Sequence, residues 1–146
     1  MSQCIFCKII SGEEPASIIY QDADFVILMD AYPLTDCHIL IVPKRHLQYL
    51  SELTDELHSS LFKLAQRTMN ALEQSGLGGS GTNLLINDGK SANQTVPHLH
   101  LHIIPRRKGD LIQSIPKLLL HVSGLFGLRK SRKKLDAQAA HIASCF

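Results

Sequence analysis

The sequence predicts an α+β fold built on an antiparallel sheet. Strand-like segments lie on both sides of one long helical pattern, and the links between neighbouring strands are too short for parallel crossovers. The chain has 146 residues, 45% of them hydrophobic and 19% charged. This composition is typical of one soluble globular domain and excludes wholesale disorder.

The strand segments are short β-rich runs bounded by turn residues. Gln21-Asp22-Ala23-Asp24 separates the first two runs and predicts a hairpin turn. Pro43 ends the third run, and Pro97 and Pro105 bound the last one. Five strands are therefore predicted, at 18–20, 25–30, 38–42, 82–87 and 98–104.

One long amphipathic helix is predicted over residues 55–75. Leucines recur at helical spacing, Thr54 is suited to the N-cap, and Gly76 is suited to end the helix. Phe62 and Met69 lie off the leucine face. Because a small sheet covers only one face of a helix, this extra apolar surface indicates a second contact.

The character of the chain changes after Gly109. Residues 116–128 are apolar, a basic cluster follows, and 135–146 are predicted as a terminal helix. The cluster is interpreted as a solvated helical face, although an anionic substrate across a dimer, RNA or a membrane surface remain alternatives. Its residues, with one further cation in the apolar run, are Lys117, Arg129, Lys130, Arg132, Lys133 and Lys134.

Charge and hydropathy exclude several classes of protein. The net charge of +2 gives no signal for specific nucleic-acid binding. No apolar run approaches the roughly 20 residues that a membrane span requires. The first ten residues lack the apolar core of a signal peptide. The sequence therefore predicts a cytoplasmic protein with no membrane partner.

The segment His-Leu-His-Leu-His-Ile-Ile at 98–104 is the most informative one. Alternate side chains of a strand share a face, so His98, His100 and His102 would project to one side and their apolar neighbours to the other. At neutral pH an imidazole can act as nucleophile, proton donor or metal ligand. A solvated strand face and a purely metal-binding trio are the alternatives.

This segment resembles the His-x-His-x-His-x-x motif, with x apolar, of the histidine triad superfamily of nucleotidyl hydrolases and transferases. The resemblance covers residues 1 to about 110. Asn93 departs from it, because many relatives carry glycine there. Further matches are residues 4–10, Asp30, residues 41–46, Asn87, Gln94, Thr95 and residues 105–110.

The resemblance implies a histidine-triad fold, with a five-stranded antiparallel sheet, one long helix and one short helix. It places a histidine triad domain at 1–110. The remaining residues, 111–146, are predicted as a C-terminal helical extension packed on the same domain or on its dimer partner. The resemblance also implies a homodimer paired through the long helix, with Phe62 or Met69 partly buried by the partner.

The resemblance further implies a nucleotidyl hydrolase for AMP-containing substrates, either adenosine phosphoramidates or dinucleoside polyphosphates. His100 would attack the α-phosphate to form a nucleotidyl-histidine intermediate, with His102 and Thr95 assisting. A nucleotide-binding regulatory protein with incidental hydrolysis, and a zinc module acting through protein contacts, are the rival hypotheses. The implied nucleotide-binding residues are Phe6, Ile9, Leu28, Asp30, Asn87, Gln94, Thr95, His100 and His102.

Residue chemistry alone leaves several of these assignments open. Asp30 equally fits a plain acid at the end of a strand, and Asn87 and Thr95 fit ordinary turn residues. The apolar members fit ordinary core. Histidines outside the motif, apart from His46, are given no functional role; these are His38, His58, His121 and His141.

Cys4 and Cys7 have the C-x-x-C spacing of zinc sites. From residue types alone, a zinc pair, a redox pair and two buried thiols are all possible. One branch of the histidine triad superfamily binds zinc through a cysteine pair, a histidine after the third strand and the first triad histidine. The resemblance therefore implies a structural zinc held by Cys4, Cys7, His46 and His98.

Overall fold

The computed structural model describes residues 4–110 and 129–146, which contain five strands and three α-helices. The strands are β1 (Ile18–Gln21), β2 (Phe25–Met29), β3 (Ile39–Pro43), β4 (Gly81–Ile86) and β5 (Leu101–Arg106). The helices are α1 (Ile5–Ser11), α2 (Asp55–Gln74) and α3 (Arg132–Ala143). The strands form one antiparallel sheet in the order β1-β2-β3-β5-β4, which confirms the predicted α+β class.

The β1–β2 hairpin turn is held by a single side chain. The carboxylate of Asp22 accepts the backbone N–H groups of Asp24 at 2.9 Å and of Phe25 at 2.7 Å. Such local bonds are the reason that aspartate favours turns. β2 and β3 then pair without a break from Phe25↔Pro43 to Met29↔Ile39, and both strands are buried throughout.

The last strand begins later than predicted, at Leu101 instead of position 98. Pairing between β3 and β5 stops at Ile41↔Leu101. Pro43 has no backbone N–H with which to continue the ladder. Its carbonyl instead accepts the Nε2–H of His98 at 2.8 Å. The N–H of Leu99 instead donates to the carbonyl of Leu47 at 2.6 Å. Residues 98–100 therefore lie outside the ladder.

Helix α2 has the boundaries that its local signals predict. The hydroxyl of Thr54 accepts the N–H of Leu57 at 3.4 Å, and the chain leaves the helix through Gly76 at φ +70°. Its buried side chains, including Leu61 and Leu72, cover one face of the sheet. Phe62 is 50% exposed, as expected for an apolar residue off that face.

Helix α3 starts earlier than predicted, after the N-cap Ser131, whose hydroxyl accepts the N–H of Lys134. Its buried residues Leu135, Ala139 and Ile142 join the core beneath α2 and β1 of the same chain. At its end the Arg67 guanidinium lies 4.8 Å from the ring of Tyr20 and 4.3 Å from that of Phe146. The predicted apolar run at 116–128 lies outside the described residues.

Helix α1 covers the opposite face of the sheet. Phe6 packs there against side chains of β2 and β3, including Leu28 and Leu40. Gly12 ends this helix at φ +81°. None of the helices in the described part of the chain has the length and apolar character that crossing a bilayer requires.

Candidate active site

A cavity of about 430 Å³ opens between α1 and the sheet. Its floor and one wall are apolar, and three triad-region side chains, His100, His102 and Thr95, reach it from the β5 side. An apolar slot with a few convergent polar groups is the usual form of a small-molecule site. The predicted nucleotide-binding residues that line it are Phe6, Ile9, Leu28, Asp30, Thr95, His100 and His102.

The backbone carbonyl of His98 holds the ring of His100 in one tautomer. Its Nδ1 lies 2.7 Å from the carbonyl oxygen of His98, which can only accept. Nδ1 therefore carries the proton, and the lone pair of the neutral ring is on Nε2. The ring is buried beside Phe6, with centroids 5.1 Å apart. This arrangement supplies a nucleophilic nitrogen at the histidine end of the cavity.

His102 is oriented by a histidine that the sequence analysis left without a role. The N–H of Leu34 donates to Nδ1 of His38 at 3.1 Å, so Nε2 of His38 carries the proton. That Nε2 lies 2.9 Å from Nδ1 of His102 and donates to it. His102 therefore bears its own proton on Nε2. The chain of bonds makes His102 a donor, while the bond to the His98 carbonyl makes His100 an acceptor.

Asp30 combines two roles at the end of β2. Its side chain lines the cavity, and one oxygen accepts the N–H of Tyr32 at 2.8 Å. The other oxygen lies 3.4 Å from Nδ1 of His38. Asp30 is therefore more than a plain strand-end acid, because its carboxylate both fixes the backbone of Tyr32 and borders the cavity.

The loop between β4 and β5 divides the remaining predicted residues. Thr95 lines the cavity, whereas Asn87 and Gln94 are not among its described lining residues. Gln94 holds the loop instead: it accepts the N–H of Gly89 at 3.0 Å and donates to the carbonyl of Gln48 at 2.8 Å. Asn93 adopts φ +61°, the left-handed conformation that glycine takes easily and that asparagine tolerates.

The four predicted metal ligands converge at the N-terminus of α1. Their ligand atoms all lie within 4.8 Å of one another. Cys4 Sγ is 3.4 Å from His98 Nδ1, and Cys7 Sγ is 3.2 Å from His46 Nδ1. Because Nε2 of His98 donates to Pro43, its Nδ1 lone pair faces the sulfurs. Burial lowers the pKa of His98, which keeps the ring neutral and able to ligate.

Sequence reasoning missed three residues at this site. His38 is fully buried and 64 positions from His102, so no local pattern connects the two. Arg129 and Arg132 line the cavity of their own chain, although their cluster was interpreted as a solvated face. Only the packing of α3 against β1 shows where these arginines lie.

Comparison with known proteins agrees with this geometry. A family model described as the HIT domain matches residues 11–109. An adenylylsulfatase of Arabidopsis thaliana is 33% identical over 144 residues, covering 99% of this chain and 68% of that protein. An adenosine 5'-monophosphoramidase of Candida albicans is 35% identical over 109 residues, covering 73% of this chain and 72% of that protein.

Solved structures give the same result in three dimensions. A zinc-bound histidine triad family protein from Mycobacterium smegmatis aligns with a TM-score of 0.79 and 34% identity, over 99% of this chain and 93% of that one. The strand order, the triad segment and the match to residues 11–109 therefore lead to one conclusion. The chain belongs to the HIT domain family.

Proposed function

We propose that the protein is a nucleotidyl hydrolase that acts through a covalent bond to His100. The observation that carries this proposal is the 2.7 Å bond from His100 Nδ1 to the His98 carbonyl, which leaves the lone pair of the ring on Nε2. An imidazole in this tautomer is a competent nucleophile toward phosphorus. The apolar wall formed by Phe6, Ile9 and Leu28 suits a purine base, and Asp30 suits ribose hydroxyls.

The proposed reaction has two displacements. Nε2 of His100 forms a bond to the α-phosphorus while the bond from phosphorus to the leaving group breaks, and the leaving group keeps the electron pair and takes up a proton. Water then adds its hydroxyl to phosphorus, the P–N bond breaks, and the second proton of the water is released. His102, with its proton on Nε2, donates to a phosphate oxygen as charge develops there.

Adenosine phosphoramidates and dinucleoside polyphosphates are the proposed substrate classes. The names of two relatives, an adenosine monophosphoramidase and an adenylylsulfatase, support an adenylyl group joined to a variable leaving group. All these compounds present the same α-phosphate to His100. A higher turnover of an adenosine phosphoramidate than of its guanosine counterpart would show that the apolar wall distinguishes the two purine bases.

A stereochemical experiment tests the two-step mechanism. The substrate is an adenosine phosphoramidate whose α-phosphorus is chiral through sulfur and oxygen-isotope labels. Two displacements at phosphorus give the thiophosphate product with retained configuration. Inversion, which a single attack by water produces, would contradict a covalent bond to His100 even if the protein proved to be an efficient hydrolase.

We propose that Cys4, Cys7, His46 and His98 bind one zinc ion. The donor set fits, because tetrahedral zinc with ordinary bond lengths separates sulfur and nitrogen ligands by about 3.5 Å, close to the 3.4 Å between Cys4 Sγ and His98 Nδ1. Burial and the neighbouring Cys4 raise the pKa of the Cys7 thiol, whereas a divalent cation would stabilise both thiolates. Four protein ligands make such a zinc structural, anchoring α1 to the sheet.

His38 is proposed as a positioning residue for His102. We expect His38→Phe to lower kcat by about 10- to 100-fold, as loss of an orienting hydrogen bond does elsewhere, because Nδ1 of His102 loses its donor. KM should change much less. The measurement is steady-state hydrolysis of an adenosine phosphoramidate, with thermal unfolding recorded on the same samples.

A conservative variant separates this role from a purely structural one. His38→Gln keeps an N–H donor and should recover part of the lost kcat, while His141→Phe, a surface histidine bonded to the Ser75 carbonyl, should match the wild type. An unchanged kcat in folded His38→Phe protein would refute the positioning role.

We also propose that the protein is a homodimer. Phe62 on α2 is 50% exposed, and Leu84 and Leu85 on the edge strand β4 are 41% and 39% exposed. An open edge strand with exposed leucines on both faces is an aggregation hazard unless something covers it. A second copy related by two-fold symmetry would cover the helix and the edge together.

Phe62→Glu should convert the dimer to a monomer at micromolar concentration, because a charge would be buried at the contact. Gln74→Glu introduces the same charge at an exposed position near the end of α2 and should remain dimeric. Light scattering after size-exclusion chromatography measures both. A monomeric wild-type protein, or a dimeric Phe62→Glu variant, would contradict this interface.

A further inference from the structure

The cavity has a cationic end built by the segment that follows residue 128. Arg129 and Arg132 both line the cavity, as does Leu135 of the same segment. This segment is fixed to the fold by the buried face of α3 and by the bond from the Lys130 N–H to the Ala31 carbonyl at 3.0 Å. Both arginines therefore border the cavity of their own chain.

Strand order places the arginines far from the nucleophile. Leu28, Leu40 and His102 are register partners across β2, β3 and β5. The Arg132 guanidinium donates to the Pro15 carbonyl at 2.7 Å and to the Ser17 hydroxyl at 3.3 Å, just before β1. Three strand spacings, roughly 14 Å, separate β1 from β5. Arg132 thus borders the end of the cavity opposite the histidines, whereas Arg129 lines the cavity next to Lys130, which is bonded to Ala31.

These two cations have no carboxylate partner among the residues described. The ion pairs there involve His38, Arg106, Lys130 and Lys134. Arg132 is held by neutral acceptors, and its neighbour Ser17 donates in turn to Asp136. Glu14 and Asp30 are the acids that line the same cavity. Asp30 already accepts the Tyr32 N–H.

A nucleotide bound as proposed above has a fixed direction in this cavity, and the present inference rests on that binding mode. Its α-phosphate is at His100 and its ribose is at Asp30. The segment that carries the arginines meets the chain next to this ribose, because the Lys130 N–H donates to the carbonyl of Ala31, which directly follows Asp30. The arginines therefore lie on the ribose side of the nucleotide.

We propose that Arg129 and Arg132 bind a second phosphate carried on the 2′- or 3′-hydroxyl of the ribose. Two planar guanidinium groups match the charge and geometry of a phosphate, which accepts several charge-assisted hydrogen bonds. The edge of a purine base offers only uncharged groups, which would not call for two cations that lack a carboxylate partner among the described residues. The substrates favoured by this site are adenylyl compounds that are also phosphorylated on the ribose.

The test compares four ligands by calorimetry in a phosphate-free buffer: AMP, GMP, adenosine 3′,5′-bisphosphate and adenosine 2′,5′-bisphosphate. Wild-type protein should bind at least one bisphosphate about tenfold more tightly than AMP. In the double variant Arg129→Gln/Arg132→Gln this ratio should fall close to one. The single variant Arg129→Gln should give an intermediate ratio, and it breaks no hydrogen bond between this side chain and the described residues 4–110 and 129–146.

The matched control is Lys133→Gln, which removes the same charge from an exposed position of α3 outside the cavity. It should keep the wild-type ratio. Equal affinities for AMP and both bisphosphates in the wild type, or an unchanged ratio in the double variant, would overturn the proposal. So would an arginine-dependent preference for GMP over AMP without any preference for bisphosphates, since the arginines would then contact the base.

This experiment separates the phosphate site from the proposed reaction. If His100 proves not to be the nucleophile, the bisphosphate preference measured by binding is unaffected. If the preference is absent while an adenosine phosphoramidate is hydrolysed through His100, only the inference about the arginines fails.

Discussion

His100→Ala is expected to abolish turnover, with a loss of kcat of about a thousandfold or more. The proposed covalent catalysis needs the lone pair on Nε2 of His100. Binding of AMP should persist, because it is distributed over the apolar wall and Asp30. Hydrolysis of an adenosine phosphoramidate and calorimetric titration with AMP measure the two effects separately.

The control for this variant is His58→Ala, which removes a half-buried histidine of α2 that is not among the residues lining the cavity. It should retain wild-type turnover. Near wild-type activity of His100→Ala would eliminate His100 as the nucleophile. Loss of AMP binding together with activity would instead point to a collapsed pocket, and thermal unfolding of the variant would reveal it.

Removal of a proposed zinc ligand is expected to have the largest effect on stability. Purified wild-type protein should contain about one zinc per chain. Cys4→Ser should lower the free energy of unfolding by on the order of 4 kcal/mol, and the Tm by about 10 °C, because loss of a structural metal is among the severest single changes. Cys4 is buried next to His98, so an uncompensated imidazole and thiol remain there.

Cys145→Ser is the matched control, since Cys145 is half-buried at the opposite end of the chain and lies outside the cluster. It should contain zinc and unfold close to the wild-type temperature. Elemental analysis and thermal unfolding of the three proteins provide the readouts. Absence of zinc from wild-type protein prepared without chelators would refute the four-ligand site, whatever the stabilities.

Features with local causes were predictable from the sequence. The predicted range of α2, 55–75, differs by one residue from the observed Asp55–Gln74, because Thr54 and Gly76 act on the turns next to them. Alternation along 98–104 also placed the triad correctly relative to its apolar neighbours. The predicted start of β5 at residue 98 was wrong. The strand begins only at Leu101, because the ring of His98 binds the Pro43 carbonyl in a tertiary contact that the local sequence does not show.

Features that depend on packing were not predictable. The importance of His38 appears only when β3 lies beside β5 and brings its ring to His102. The arginines became part of the cavity only through the burial of Leu135 and its neighbours on α3. A basic cluster carries no sequence signal for the surface it will face, so a solvated helix was the reasonable prediction.

The pairing of β3 with β5 has a consequence for how the protein folds. It joins Leu40 to His102, with the whole of α2 and β4 in between. Closing so long a loop costs conformational entropy, and this cost is offset only when the core is complete. Contacts between residues far apart in the sequence therefore slow folding. During refolding, hydrolytic activity should therefore return with the final cooperative step, after the helical signal of α2 has appeared.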